Sequence, residues 1–181
     1  MIRGERVNLK DTIRTIPDFP KPGIMYRDIT TLLTNRAALA ETIQQLAAPY
    51  RDKTIDNVVG IEARGFTFGA ALAVEIGAGF VPIRKAGKLP FDTYKQDYQL
   101  EYGTDTMEIH ADAIRKGERC VLVDDLIATG GTAEAGVKLL RKVEAEIVGA
   151  AFVIDLPELG GLAKLTKMGI PVTALMAFDG H

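Results

Sequence analysis

Apolar residues along this chain come in two alternating rhythms, and that alternation predicts an α/β fold. Short apolar runs at 58–63, 79–85, 120–123, 146–154 and 171–178 are too brief for buried helices and read as interior strands. Between them lie stretches with helical spacing. Leu39, Ile43, Leu46, Ala47 and Tyr50 share one face of a helix over about 35–50, which Thr34 or Asn35 can cap. A second helix starts at Arg64-Gly65, runs to Ile76 and is apolar nearly all round, which predicts burial between the sheet and a partner. A third carries Ala133, Val137, Leu140 and Val143, and a short fourth spans 161–168. Strands alternating with helices predict a central, mostly parallel sheet flanked by helices.

Two stretches break the rhythm. Near the start, Val7, Leu9, Ile13 and Ile16 stand among charges in a pattern that predicts a modest amphipathic helix ended by Pro17. From Asp18 to Thr30 the prolines and Gly23 forbid a regular helix, leaving a stiff loop that presents Phe19, Met25 and Tyr26. Such a loop either packs its own aromatics or stacks a flat heteroaromatic ring. Between Leu89 and His110, aromatic and polar residues alternate (Phe91, Tyr94, Tyr98, Tyr102), which predicts an extended hairpin with a long tip, suited to a lid. The chain has no repeat, low-complexity tract or linker, so one domain over 1–181 is expected, with a small N-terminal region (1–34) and a flexible lid hairpin (86–110).

Composition narrows the classes. A net charge of −2 argues against nucleic acid as a partner, and no stretch approaches the ~20 apolar residues of a membrane span. The charged start, Met1 to Arg6, lacks the apolar run of a signal peptide, so the expected location is cytoplasmic. Cys120, the one cysteine, heads an apolar strand and reads as a packing residue; His110 and His181 have no metal-ligand spacing.

The chemistry concentrates in Val121-Leu-Val-Asp-Asp-Leu-Ile-Ala-Thr-Gly-Gly-Thr132. Asp124 and Asp125 sit at the carboxyl end of a strand, where α/β sheets place their working groups. After them, Ala128, Thr129, Gly130, Gly131 and Thr132 lead into a helix, so backbone N–H groups, hydroxyls and the helix dipole favour a phosphate. No lysine follows the glycines, so this is not a Walker A loop. The acids repel a phosphate and suit a neutral polyol or a metal ion instead; a ribose phosphate meets both demands. Glu62 and Arg64 end another strand and form either a structural ion pair or an anion contact. Arg84, Lys85 and Lys88 end a third, as a solvated basic edge or an oligophosphate clamp, and Asp155 is a further candidate at a fourth.

These motifs resemble the type I phosphoribosyltransferases, and five separated blocks resemble the adenine-specific family in particular: Phe19-Pro-Lys-Pro-Gly-Ile-Met-Tyr-Arg-Asp-Ile-Thr30, Glu62-Ala-Arg-Gly-Phe66, Ile83-Arg-Lys-Ala-Gly-Lys-Leu-Pro90, Leu100-Glu-Tyr-Gly103 and Asp124-Asp-Leu-Ile-Ala-Thr-Gly-Gly-Thr132. The resemblance implies the type I fold and the transfer of phosphoribose from 5-phosphoribosyl 1-pyrophosphate to adenine, giving AMP and pyrophosphate with Mg²⁺ in purine salvage. It implies the 5′-phosphate on Ala128 to Thr132, ribose hydroxyls on Asp124 and Asp125, pyrophosphate on Arg64, Arg84, Lys85 and Lys88, and adenine against Tyr26 and Leu126 with backbone contacts at Met25 and Arg27. It further implies Glu101 handling the base proton, Tyr102 closing the lid, and a non-proline cis peptide near Glu62-Ala63. Mg²⁺ would be held mainly by substrate, with Asp124 or Asp125 reaching it through water, and the chain would be a homodimer joined through the helix after Arg64. The same fold serves xanthine, hypoxanthine-guanine and orotate; the N-terminal aromatic loop favours adenine. A regulator that only senses phosphoribosyl pyrophosphate is the alternative from another class, but it usually carries an added DNA-binding domain.

Overall fold

The computed structural model describes residues 7–99 and 103–180. The expected N-terminal helix is instead a short 3-10 turn, Leu9–Thr12, followed by strand β1 (Arg14–Pro17), which pairs antiparallel with β2 (Met25–Asp28). Spacing along the sequence could not distinguish these outcomes, because the deciding partner lies outside the segment: Arg14 stands opposite Asp28 and closes a 2.5 Å ion pair with it. Hydrogen bonds from Thr30 and from Arg14 hold the Asp28 carboxyl down at about 2. The stretch expected to be one stiff loop therefore contains a strand and, after it, a short helix α1 (Thr30–Thr34).

The other elements arise where the apolar rhythm predicts them. Helix α2 (Arg36–Ala47) is capped by Asn35, whose side chain accepts from the N–H groups of Ala37 and Ala38 at 3.1 Å. Strand β3 (Asn57–Ile61), helix α3 (Gly65–Ile76) and strand β4 (Gly79–Lys85) follow, then the hairpin β5 (Thr93–Gln99) and β6 (Thr104–His110). The chain continues through β7 (Arg119–Ile127), α4 (Gly131–Lys142), β8 (Glu146–Asp155), α5 (Gly161–Lys167) and β9 (Val172–Ala177). Seven strands form one sheet in the order β5-β6-β4-β3-β7-β8-β9; β4 through β9 in that order are parallel and the hairpin adds an antiparallel edge.

Alternation along β7 splits the core. Val121 and Val123 face α2 and α3 with Phe68 and Leu72, whereas Cys120 and Leu122 face α4 with Val137 and Leu140. Burial pushes the Cys120 thiol up to about 12, which keeps it protonated and suits its packing role. Helix α3 is more one-sided than its sequence predicts: Phe68 and Leu72 are fully buried, while Val74 is 84% exposed. The hairpin's inner face joins the core through Tyr98, Met107 and Ile109, and its ladder extends to Gln99 opposite Thr104. The stem is thus fastened to α4, and the part of the expected tip at residues 100–102 lies outside the described residues.

Candidate functional site

Chain direction across the sheet reverses between β3 and β7, since the chain goes from β3 out to β4 on one side and from β7 out to β8 on the other. A crevice opens at such a switch point, beyond the carboxyl ends of the strands. Pairing of β3 with β7 stops at Gly60 opposite Val123, although β7 continues to Ile127 beside β8. From Asp124 onward one edge of β7 therefore has no strand beside it. The acids lie inside the strand rather than after it, and the early end of β3 leaves them lining the crevice.

Two adjoining cavities, of about 740 Å³ and 310 Å³, share the wall formed by Leu126, Ala128, Thr129, Gly131 and Thr132, together with Arg64. The larger is mostly apolar and takes in Met25, Tyr26 and Arg27 from β2; the smaller holds Glu62, Lys85, Asp124 and Asp125. The larger lies in the size range of small-molecule sites.

The shared wall is a turn that needs its glycines. Gly130 has φ +77°, and a Cβ there would stand 2.9 Å from the Cα of Gly161. No side chain caps α4, and its first internal hydrogen bond runs from the Glu134 N–H to the Gly130 carbonyl at 2.8 Å. The helix leaves the N–H groups of residues 131–133 unclaimed beside the smaller cavity, an arrangement able to receive an anion. On the other side, Gly65 lets α3 begin against β7: a Cβ there would come within 2.8 Å of the Val123 carbonyl. That close approach places Arg64 beside the acids.

Asp125 is 2% exposed, and its Oδ2 lies 2.9 Å from the Arg64 Nε without accepting a hydrogen bond. Burial first, and then the Asp125 carboxylate, push Asp124 well above the usual carboxylate range. Burial opposes the Arg64 charge, but Asp125, Tyr26 and Asp124 outweigh it and raise the guanidinium pKa. Arg64 Nη1 also donates to the Tyr26 hydroxyl at 2.8 Å.

The remaining cations are tied to carboxylates. Glu62 does not pair with Arg64; it takes Arg84 at 3.3 Å, the ammonium of Lys88, and the Lys85 backbone N–H at 3.0 Å. Burial works against Glu62 ionising, but Lys88, the Lys85 N–H and Arg84 together bring it down to about 2. The Lys85 ammonium pairs with Asp105 on β6 at 3.1 Å. Of the predicted cations, Arg64 and Lys85 line the crevice, while Arg84 and Lys88 stand behind Glu62. The peptide between Glu62 and Ala63 is cis, as the resemblance implies.

The Arg27 side chain is engaged away from the crevice, so only its backbone is left to face it. The guanidinium lies 4.6 Å over the Phe178 ring and donates to Thr15 Oγ1 and to the Asp179 carbonyl, each at 2.7 Å. It fastens β2 to the end of the chain. Asp155 does not join the site: it lines neither cavity, its Oδ1 is buried without a hydrogen bond, and burial raises its pKa. Glu101 and Tyr102, together with Leu100, lie outside the described residues. The sequence named Tyr98 only as part of the hairpin and did not single out Leu156, Leu159 or Lys138, yet all four line the larger cavity. Helix and strand periodicity mark the first three only as core, and nothing local ties them to a ligand.

The phosphoribosyl transferase domain family matches residues 28–165 of this chain. An adenine phosphoribosyltransferase of Brucella ovis is 61% identical over 180 residues, covering 99% of each chain. Among solved structures, an adenine phosphoribosyltransferase from Rhodothermus marinus superposes with a TM-score of 0.88 at 49% identity, over 94% of this chain and 96% of its own. The Saccharomyces cerevisiae enzyme, solved with adenine and an imino-altritol bisphosphate, gives 0.87 at 40% identity over 93% and 96%.

Proposed function

The chain belongs to the adenine phosphoribosyltransferases within the phosphoribosyl transferase family, and from that premise we infer that it transfers the 5-phosphoribosyl group from 5-phosphoribosyl 1-pyrophosphate to adenine, releasing AMP and pyrophosphate. The observation that carries this reading is the shared wall from Leu126 to Thr132, which separates an apolar compartment from an acidic one. A sugar phosphate seated on that wall has its ring beside the acids and its anomeric carbon within reach of both compartments.

The N–H groups and hydroxyls of Ala128, Thr129, Gly130, Gly131 and Thr132 receive the 5′-phosphate. Asp124 and Asp125 take the ribose hydroxyls, with the Asp124 carboxyl held above the usual carboxylate range by burial and by Asp125 beside it. Adenine lies between Tyr26 and Leu126, with its edge read by backbone groups of Met25 and Arg27. As the bond from C1 to the pyrophosphate oxygen breaks, its electron pair leaves with pyrophosphate and positive charge grows on the ribose. The acid pair opposes that charge, while Arg64, Lys85, Arg84 and Lys88 take up the charge on the leaving group. The adenine nitrogen then bonds to C1 and sheds its proton, a transfer assigned to Glu101, with Tyr102 helping to close the lid over the crevice.

Among the described residues no group of three or more His, Cys, Asp or Glu side chains forms a metal cage. The fit to Mg²⁺ is a shared one: Asp125 Oδ2, buried without a hydrogen bond, has acceptor capacity for a metal-bound water, and substrate oxygens supply the other ligands. Bound there, the ion would neutralise charge developing on pyrophosphate.

The homodimer joined along α3 rests on the family resemblance, and light scattering that finds only monomer at micromolar concentration overturns it. No helix among the described residues is long and apolar enough to cross a membrane, which accords with a cytoplasmic enzyme. The activity is tested by incubating the protein with Mg²⁺, phosphoribosyl pyrophosphate and, separately, adenine, hypoxanthine, guanine, xanthine and orotate. AMP from adenine alone is expected. A nucleotide from another base overturns the base assignment, and binding without turnover identifies a sensor instead.

A further inference from the structure

Tyr26 lines the apolar compartment, and its hydroxyl reaches Arg64, which lines both compartments. The ring is held edge-on by Phe19, with centroids 5.1 Å apart and planes at 74°, while the hydroxyl accepts the 2.8 Å hydrogen bond from Arg64 Nη1. The same guanidinium lies 5.8 Å from the ring centroid and presents its Nε to Asp125 Oδ2 at 2.9 Å. Arg64 is thus held from two sides, by a neutral acceptor on β2 and by a buried carboxylate on β7. Its side chain remains 44% exposed, so packing alone does not fix it.

We propose that the Tyr26 hydroxyl is a positioning group for phosphoribosyl pyrophosphate, acting through Arg64, in addition to the ring's contact with the base. The proposal rests on the reading that Arg64 grips the pyrophosphate. The guanidinium has five N–H donors in a fixed plane, so one can be engaged by Tyr26 and its charge paired with Asp125 while others still face the crevice. Anchoring one end of the plane selects its orientation before the substrate arrives, which lowers the entropy cost of binding an oligophosphate. Losing the hydroxyl removes the neutral anchor and leaves Asp125 as the main attraction on Arg64. The guanidinium then turns toward the acid that the ribose needs. The ring survives a change to phenylalanine, so the base platform and the positioning group can be separated experimentally.

The test is Tyr26→Phe, Arg64→Gln and the double variant in the full-length protein, titrated with phosphoribosyl pyrophosphate and Mg²⁺ by calorimetry and assayed for KM and kcat with each substrate. Tyr26→Phe is expected to weaken phosphoribosyl pyrophosphate binding about tenfold, the range of a hydrogen bond to a charged group, while the KM for adenine stays within about twofold. Arg64→Gln should weaken it at least as much, and Tyr26→Phe should then add nothing in that background, because both changes remove one interaction. If Arg64→Gln weakens binding but Tyr26→Phe does not, the hydroxyl has no such role and the Arg64 assignment stands. Additive losses in the double variant also overturn the proposal, because the hydroxyl would then act independently of Arg64. If neither variant affects phosphoribosyl pyrophosphate, the Arg64 assignment itself fails and the proposal with it. A rise confined to the adenine KM in Tyr26→Phe assigns the hydroxyl to the base and overturns the proposal directly.

Discussion

The turn after β7 and the cationic edge after β3 and β4, the two regions proposed to meet anions, are built in opposite ways. The turn offers backbone N–H groups that the following helix leaves unclaimed, with Gly130 fixed at φ +77°. The edge offers side chains that already have partners: Arg84 and Lys88 with Glu62, Lys85 with Asp105, and Arg64 with Asp125. A backbone nest needs little rearrangement to bind phosphate, so it suits the end of the substrate that stays in place. An edge whose cations must exchange a carboxylate for a phosphate binds less tightly and releases more readily, which suits the end that leaves. The difference matches the reaction, in which the 5′-phosphate is retained and the pyrophosphate departs.

Changes that strike between the two regions should have the largest effect. Asp125→Asn removes the charge facing the ribose, and kcat is expected to fall roughly a hundredfold or more, about 3 kcal/mol in the barrier, with the far-UV circular dichroism unchanged. Near-normal turnover would take the acid pair out of the mechanism. A change to the rigid region comes next. Gly130→Ala forces a side chain into a positive φ and toward the Gly161 backbone, so phosphoribosyl pyrophosphate affinity should drop roughly tenfold and stability by about 1–3 kcal/mol. An unaltered Kd would show that the turn does not hold the 5′-phosphate.

The exchanging region should respond in the opposite direction. Glu62→Gln frees Arg84 and Lys88, and pyrophosphate is expected to bind roughly threefold more tightly, on the scale of a partly exposed ion pair. The same variant gives a pH signature. Because the folded-state pKa of Glu62 is depressed from 4.5 to about 2, its contribution to stability is complete above about 4.5 and is lost as pH falls toward 2. The stability gap between wild type and Glu62→Gln, measured by urea unfolding, should therefore narrow across that window; a gap constant from pH 7 to 2 would contradict the assigned role. The smallest effect is expected at Cys120, fully buried with its thiol pushed up to about 12: alkylating reagents should leave native activity unchanged, and rapid modification would contradict its burial.

The same contrast governs what the sequence could reveal. The phosphate turn is continuous in the chain, so strand, acids, glycines and helix could be read in register from residues 121–143. The parallel sheet was legible for a similar reason, since each interior strand carries its own apolar run. The partners of the cations were not legible. Glu62 meets Lys88 across an intervening helix and strand, and Lys85 meets Asp105 through the hairpin, so no local spacing marks them. The N-terminal ribbon misled for the same reason: Ile16 lies opposite Tyr26, and only that pairing makes residues 14–17 a strand. Asp155 was plausible as a strand-end acid, but occupying a strand end does not decide which way a side chain packs.

In this reading one crevice holds a retained phosphate on the turn and a departing pyrophosphate on the exchangeable edge. A crystal structure of the protein with phosphoribosyl pyrophosphate, Mg²⁺ and a non-reactive adenine analogue tests it most directly. The 5′-phosphate is expected on the N–H groups of Ala128 to Thr132, and the pyrophosphate against Arg64 and Lys85 with the Lys85–Asp105 pair opened. A pyrophosphate seated on the Gly130 turn, or one bound with every cation still on its carboxylate, would contradict it.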